Sequence, residues 1–214
     1  MKVIAVNGSP RKKWNTATLL EKALEGADSV GAATELVHLY DLDYKGCRSC
    51  FACKKRGGRS YGRCASKDGL SPLLARIGKT ADALLLGSPI YFGDVTGALR
   101  SFMERLLFPY LVYSDPPQTL RPRTIASAWI YTMNVSEELA GQWGYGRLFE
   151  ANAQLMQRIL GPCRWITSYD TYQFDDYAKV VADRFNILAK EQRRMEFFPK
   201  DCRKAFDLGA ALAA

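Results

Sequence analysis

The sequence predicts an α/β fold: a doubly wound, five-stranded parallel sheet in the order 2-1-3-4-5, covered by helices as a three-layer α/β/α sandwich. Three observations predict it. Short apolar runs alternate with stretches whose apolar positions recur at helical spacing, as parallel strands joined by crossover helices require. The length of 214 residues suits a single domain with a sizeable core. The loops predicted after strands 1, 3 and 4 are richer in polar and aromatic groups than a connection needs. In such sheets ligands bind beyond the carboxyl ends of the strands, beside the switch point.

The first strand is Val3-Ile4-Ala5-Val6, short and rich in β-branched residues. Asn7-Gly8-Ser9-Pro10 breaks it. Asn15 and Thr16 are expected to cap a helix through Leu19, Leu20, Ala23 and Leu24. Residues 34–39 alternate polar and apolar as a second strand would, with His38, the only histidine, on the polar, exposed phase. Residues 44–67 form a long cysteine-bearing loop. Asp68 caps a helix through Leu70, Leu73, Leu74 and Ile77. A third strand spans 81–86, with Gly87-Ser88-Pro89 as its breaker. A second functional loop follows at 90–97, then a helix over 98–107. Residues 108–123 contain four prolines and are irregular. A fourth strand covers 125–132 and ends in Met133-Asn134. A helix over 148–160, stopped by Gly161-Pro162, leads to a short fifth strand at 164–169. A long amphipathic helix over 177–194 and a short one over 201–212 complete a C-terminal helical extension at about 177–214. The whole of 1–214 reads as one flavodoxin-like domain.

Apolar content of 48% and charged content of 24% are ordinary for a soluble globular protein. No apolar run approaches a membrane span. The start of the chain reads as a strand and not a signal peptide, which points to the cytoplasm. Net charge is +8, with pI near 9.2. The basic residues run along the chain with no nucleic-acid motif, so an anionic cofactor or an acidic redox partner accounts for them better than nucleic acid. Four of the six cysteines fall within eighteen residues, which in a reducing compartment reads as metal binding or redox chemistry. Cys163 and Cys202 stand apart and read as small core residues.

The stretch VIAVNGSPRKKWNTAT joins a strand, a polar turn and a helix start. Free N–H groups and the positive end of a helix dipole then point at one place. Ser9, Arg11, Lys12, Lys13, Asn15, Thr16 and Thr18 surround that place, a set suited to a phosphate monoester. Neither the Walker spacing nor the dinucleotide fingerprint is present. In SPIYFGDVTG, Pro89 stiffens the turn, the glycines permit close backbone approach, and Tyr91 and Phe92 offer faces to a planar ring. The two stretches together describe a flavin mononucleotide site.

GSPRKKWNTATLL followed by GSPIYFGDVTGALRSFMERL resembles the NAD(P)H-dependent FMN reductase family, of flavodoxin-like fold. With CRSCFACK between them, the chain resembles that family's iron–sulfur flavoprotein branch. The likeness directly covers about half the chain. It implies that Ser9, Arg11, Lys13, Asn15 and Thr16 hold the phosphate, and that Pro89, Ile90, Tyr91, Phe92 and Gly93 line the isoalloxazine. By position, Thr132, Met133 and Asn134 close the ring's other edge. It implies an oxidoreductase in which the flavin carries the chemistry, with no side chain as nucleophile. Electrons would pass from NAD(P)H or a ferredoxin-like donor to a small-molecule acceptor such as a flavin or quinone. A homodimer or homotetramer is expected, with the proline-rich 108–123 reaching across a subunit contact. A non-enzymatic flavodoxin-like carrier and a thiol or metal redox sensor are the alternatives.

Cys47, Cys50 and Cys53, then Cys64, supply four thiolates in one loop, the usual ligand number of a 4Fe–4S cluster. Lys54, Lys55, Arg56, Arg59 and Arg63 would offset the charge of a ligated cluster. The ten residues between Cys53 and Cys64 exceed the four to seven of the branch it resembles. A cluster, a zinc ion and free or redox-switching thiols all remain open on this pattern.

Overall fold

The computed structural model describes all 214 residues. Strands β1 (Lys2–Asn7), β2 (Ala33–His38), β3 (Ala83–Tyr91), β5 (Ala126–Thr132) and β6 (Cys163–Ser168) form one parallel sheet in the order β2-β1-β3-β5-β6. The two-residue β4 (Asp94–Val95) pairs antiparallel with the end of β3 and lies off this path. Setting β4 aside, the parallel order is the expected 2-1-3-4-5. Val3, Ile4, Ala5 and Val6 are wholly buried, as a strand covered on both faces must be.

Helices α1 (Asn15–Ser29) and α7 (Phe198–Ala213) cover one face; α2 (Ser71–Thr80), α3 (Gly97–Leu107) and α5 (Tyr145–Ile159) cover the other. The α2–α3–α5 side holds the larger core, around Phe102, Trp129, Tyr131 and Phe149. Tyr131 stacks on both Trp129 and Phe149 there, at 5.2 and 4.4 Å. On the other face, α1 and α7 cross at small residues. A Cβ at Gly209 would stand 1.7 Å from the Ala23 carbonyl oxygen, and one at Gly26 would stand 1.9 Å from that of Phe206. The last helix is therefore longer than expected and belongs to the layer itself.

Two expectations are corrected. β3 does not stop at Leu86 but runs through Gly87-Ser88-Pro89, which pair with Ile130, Tyr131 and Thr132. The Gly8 amide donates to the Gly87 carbonyl at 2.8 Å, so alternate β3 residues face β1. Pro89 shares that side, beyond the end of β1, where its missing N–H leaves no ladder bond unmade.

The expected long helix over 177–194 is instead an irregular segment followed by α6 (Ile187–Glu196). Asn186 caps α6 by accepting from Ala189 N at 3.0 Å. Tyr177 is buried among Tyr172, Phe174 and Phe185, which holds the preceding chain out of helix. A short α4 (Glu137–Gln142), capped by Ser136, was not expected.

The proline-rich 108–123 folds back on its own chain. Leu111 bridges Thr119, and Leu120 N donates to Tyr110 O at 2.8 Å. No helix is long and apolar enough to cross a membrane.

Candidate functional site

Asn7 ends β1 with its side chain wholly buried. Its Nδ2 donates to His38 Nδ1 at 2.9 Å, and its Oδ1 accepts from Ser9 N at 2.9 Å. This amide ties the end of β2 to the turn, so His38 is half-buried and bonded where an exposed residue was expected. Ser9 Oγ accepts from Arg11 N at 3.1 Å and closes the next step of the turn.

The N-cap of α1 is Trp14, whose side chain caps nothing. The expected caps act elsewhere. Asn15 Nδ2 donates to Tyr172 O at 2.8 Å, and Thr16 Oγ1 meets Thr132 Oγ1 at 2.7 Å. The first-turn N–H groups of α1 are thus left without a side-chain acceptor, at the positive end of the helix dipole. Ser9, Asn15 and Thr16 are buried around this point, while Lys13 is exposed and in no ion pair. Arg11 lies over the Trp14 ring at 3.8 Å and donates to Gln173 O, so its charge is turned toward the segment after β6.

The second loop is a tight hairpin. Ile90 pairs with Val95 and Tyr91 with Asp94, with Phe92 and Gly93 at the tip. Both tip residues have positive φ, +51° and +82°. That is unremarkable for glycine but costs a phenylalanine of order 1–3 kcal/mol. The Phe92 side chain is fully exposed and Tyr91 partly so, while Pro89 and Ile90 are half-buried. Thr96 locks this hairpin to the phosphate-type loop, with its hydroxyl donating to Gly8 O at 2.7 Å and accepting from Leu99 N.

The third loop is stitched down. Thr132 is spent on Thr16. Met133 is buried, its N–H donating to Ser168 O and its carbonyl accepting from Thr171. Asn134 accepts from the buried Lys190, which also pairs with Asp170. All three loops end on one edge of the sheet, next to each other in the register Asn7–Gly87 and Pro89–Thr132.

The cysteine segment lies against α3. Cys47, Cys50, Cys53 and Cys64 line one small pocket, with Glu104, Arg105 and Phe108 completing its wall. No three of the chain's Cys, His, Asp and Glu side chains converge as a metal-ion site. Cys47 and Cys50 are exposed and Cys53 is buried, and burial pushes the Cys53 thiol up despite Lys54 beside it. Arg105 is 2% exposed and organises the segment. Its guanidinium forks onto Asp68, with Nη2 to Oδ1 at 3.0 Å, while Nη1 donates to Lys45 O at 3.0 Å and Nε to Cys64 Sγ at 3.3 Å. Of the cations expected to face the cysteines, Lys54 instead donates to the Phe108 and Leu111 carbonyls, and the other four are exposed.

A family model described as NADPH-dependent FMN reductase matches residues 1–134. The chain belongs to the NADPH-dependent FMN reductase family. An iron–sulfur flavoprotein of Archaeoglobus fulgidus is 40% identical over 105 residues, which cover 49% of this chain and 48% of that protein. The chain spans about half the length of the curated relatives it matches. Among solved structures, an NAD(P)H:quinone oxidoreductase from Methanothermobacter marburgensis superposes with a TM-score of 0.73 at 17% identity, covering 99% of this chain and 98% of that one. A flavodoxin from the Archaea gives 0.51 at 16% identity, covering 100% and 96%. These two likenesses show that this family member has the flavodoxin-like fold.

Sequence reasoning missed Asn7, Trp14, Arg105 and Lys190. Asn7 carries a signal in hindsight, being a polar residue at the end of an apolar strand. Arg105 carries none, because a basic residue near the end of a helix normally faces solvent.

The thiol environments give an expected result. In reduced, metal-free protein, iodoacetamide should modify Cys47 and Cys50 first and Cys53 last, since burial both shields the Cys53 thiol and keeps it protonated. Timed mass spectrometry reads this directly, and equal rates at the three positions would contradict the packing of Cys53.

Proposed function

We propose that this chain binds FMN across the carboxyl ends of β1, β3 and β5. In this reading it is an FMN-dependent oxidoreductase that passes electrons from NAD(P)H or a ferredoxin-like donor to a small-molecule acceptor such as a flavin or quinone. The uncapped start of α1 carries the reading. Buried helix ends normally find partners, and here hydroxyls, N–H groups and the free Lys13 surround one that has no side-chain cap. A phosphate monoester fits that set. With Thr132 donating to Thr16, the Thr16 proton is free to point at a phosphate oxygen. Ser9 and Asn15 shape the cradle, and Arg11 and Trp14 brace it against the segment after β6. The hairpin from Pro89 to Gly93 offers backbone and aromatic groups to a ring, with Thr132, Met133 and Asn134 at the opposite edge. Bound flavin supplies hydride acceptance and one- or two-electron release.

Cys47, Cys50, Cys53 and Cys64 are assigned to a 4Fe–4S cluster. Their place on one pocket wall and the iron–sulfur flavoproteins among the relatives support this. Ligation requires the segment to close inward, and Ser49 and Phe51, both at positive φ on either side of Cys50, are where it is strained. A homodimer or homotetramer is proposed as well, since the fully exposed Phe92 has no cover within its own chain.

Anaerobic turnover with NADH and NADPH tests the activity, and absence of reduction by both, with flavin bound, would leave only the donor protein. Thr16→Ala should weaken FMN binding by roughly 1.5–3 kcal/mol, the worth of a charge-assisted bond. Loss of the Thr132 bond should lower apoprotein stability by about 1 kcal/mol. Unchanged FMN affinity would make Thr16 only a strap between α1 and β5.

A further inference from the structure

Lys190, in α6, is a buried cation, only 4% exposed. An ammonium has three protons and no acceptor. Three acceptors meet it here: the Asn134 backbone carbonyl at 3.0 Å, Asn134 Oδ1 and Asp170 Oδ1. No proton is left for a ligand, so Lys190 neither binds a substrate nor transfers a proton to one. Two of its three bonds go to one residue, Asn134, on the third loop of the candidate site. Those bonds decide which way the Asn134 amide faces. An amide nitrogen does not accept from an ammonium, so Oδ1 turns to Lys190 and Nδ2 turns away. Nδ2 donates one proton to Gln173 Oε1, and the Gln173 carbonyl accepts from Arg11 of the first loop. Asp170 N donates to Val135 O at 2.8 Å. One lysine thus clasps the third loop to the segment after β6, which is itself tied to the first loop.

We propose that Lys190 is a positioning residue of the flavin site, fixing the Asn134 amide in the one orientation that offers the ring a hydrogen-bond donor. The inference rests on the FMN reading above, in which Asn134 closes one edge of the isoalloxazine. Burying a cation is costly even when it is paired and hydrogen-bonded. A clasp between these segments needs no charge, as Thr171 shows by donating its hydroxyl to the Met133 carbonyl at 3.1 Å. What a neutral group lacks is the donor-only character that forbids the amide to flip. With Oδ1 held by Lys190, the second proton of Nδ2 stays available to an acceptor on the ring. A flipped amide would present an oxygen there instead and would leave the Lys190 ammonium facing two N–H groups.

The test uses wild-type protein, Lys190→Met, Asn134→Ala and the two substitutions combined. Each is loaded with FMN or with riboflavin, which has the ring without the phosphate, and diluted in series. The return of flavin fluorescence gives the dissociation constant. Lys190→Met should weaken both flavins by about tenfold, the worth of one hydrogen bond to the ring. Asn134→Ala should do the same, and the combined variant should be no worse than either, because one residue acts through the other. Lys190→Met leaves the Asp170 side chain unpaired, but at 34% exposure water reaches it, so the variant should fold. Asp170→Asn is the structural control. It removes the ion pair, keeps an acceptor for Lys190 and leaves Asn134 held, so it should lower Tm without changing flavin affinity. Additive losses in the combined variant, or an equal loss of affinity in Asp170→Asn, would overturn the proposal. So would a loss confined to FMN, since Lys190 would then act at the phosphate end. Wild type and Lys190→Met binding FMN equally well would remove this inference alone, whereas a wild type that retains no flavin would remove the FMN reading with it.

Discussion

Asp68→Asn is expected to destabilise the protein by about 3–5 kcal/mol, the cost of stranding one member of a buried ion pair. For a chain of this size that is a fall in Tm of roughly 6–20 °C. The magnitude comes from Arg105, whose side chain is 1% exposed against 25% for Asp68. The substitution keeps one acceptor oxygen but removes the carboxylate charge, leaving the buried guanidinium without its counter-ion and with Lys45 O and Cys64 Sγ as its other partners. Arg105→Met added to Asp68→Asn should recover part of the loss, because the stranded charge is then gone. The pair also sets a pH response. The hydrogen bond from Arg105 holds the Asp68 carboxyl below the usual carboxylate range. A depressed carboxylate stabilises fully above its unfolded value of about 3.9 and loses that contribution as pH falls through the lower folded value. Acid unfolding of wild type should therefore steepen below about pH 4, and the variant should lack that step. Thermal melts of the three proteins across pH 3–7 measure all of this. Wild-type stability in Asp68→Asn would mean that Arg105 reaches solvent.

Gly209→Ala should cost about 3 kcal/mol, at the upper end for overpacking, because the added methyl meets backbone. The Ala23 carbonyl oxygen stands 1.7 Å from where that Cβ would lie, too close for any rotamer change to relieve. α7 must lift from α1, and α1 carries the candidate phosphate site at its start, so FMN affinity should fall together with stability. Gly146→Ala, in α5 with open space around it, is the control and should be neutral or slightly stabilising. Denaturant melts with and without added FMN separate the two effects. A neutral Gly209→Ala would show that the two helices do not cross at this glycine.

The sheet was legible because buried parallel strands write themselves as short apolar runs, and β1, β2, β5 and β6 fall within a residue or two of those runs. The extension of β3 was hidden because Pro89 is tolerated only where β1 has already ended, a fact about a neighbour and not about the local sequence. Residues 177–186 carry helical spacing, yet Tyr177 is claimed by an aromatic cluster. At the candidate site, residue types and spacing located Ser9, Asn15 and Thr16 near one point. The partners of Asn15 and Thr16, Tyr172 and Thr132, lie more than a hundred residues away, and nothing local records such bonds.

An FMN site at the start of α1 is open to direct test through the cofactor itself. Protein purified anaerobically, or reconstituted with equal FMN and FAD, is denatured and the released flavin identified by chromatography. FMN at about one per chain, falling in Thr16→Ala, is the predicted result. FAD in stoichiometric amount, or no flavin retained from the mixture, would contradict it.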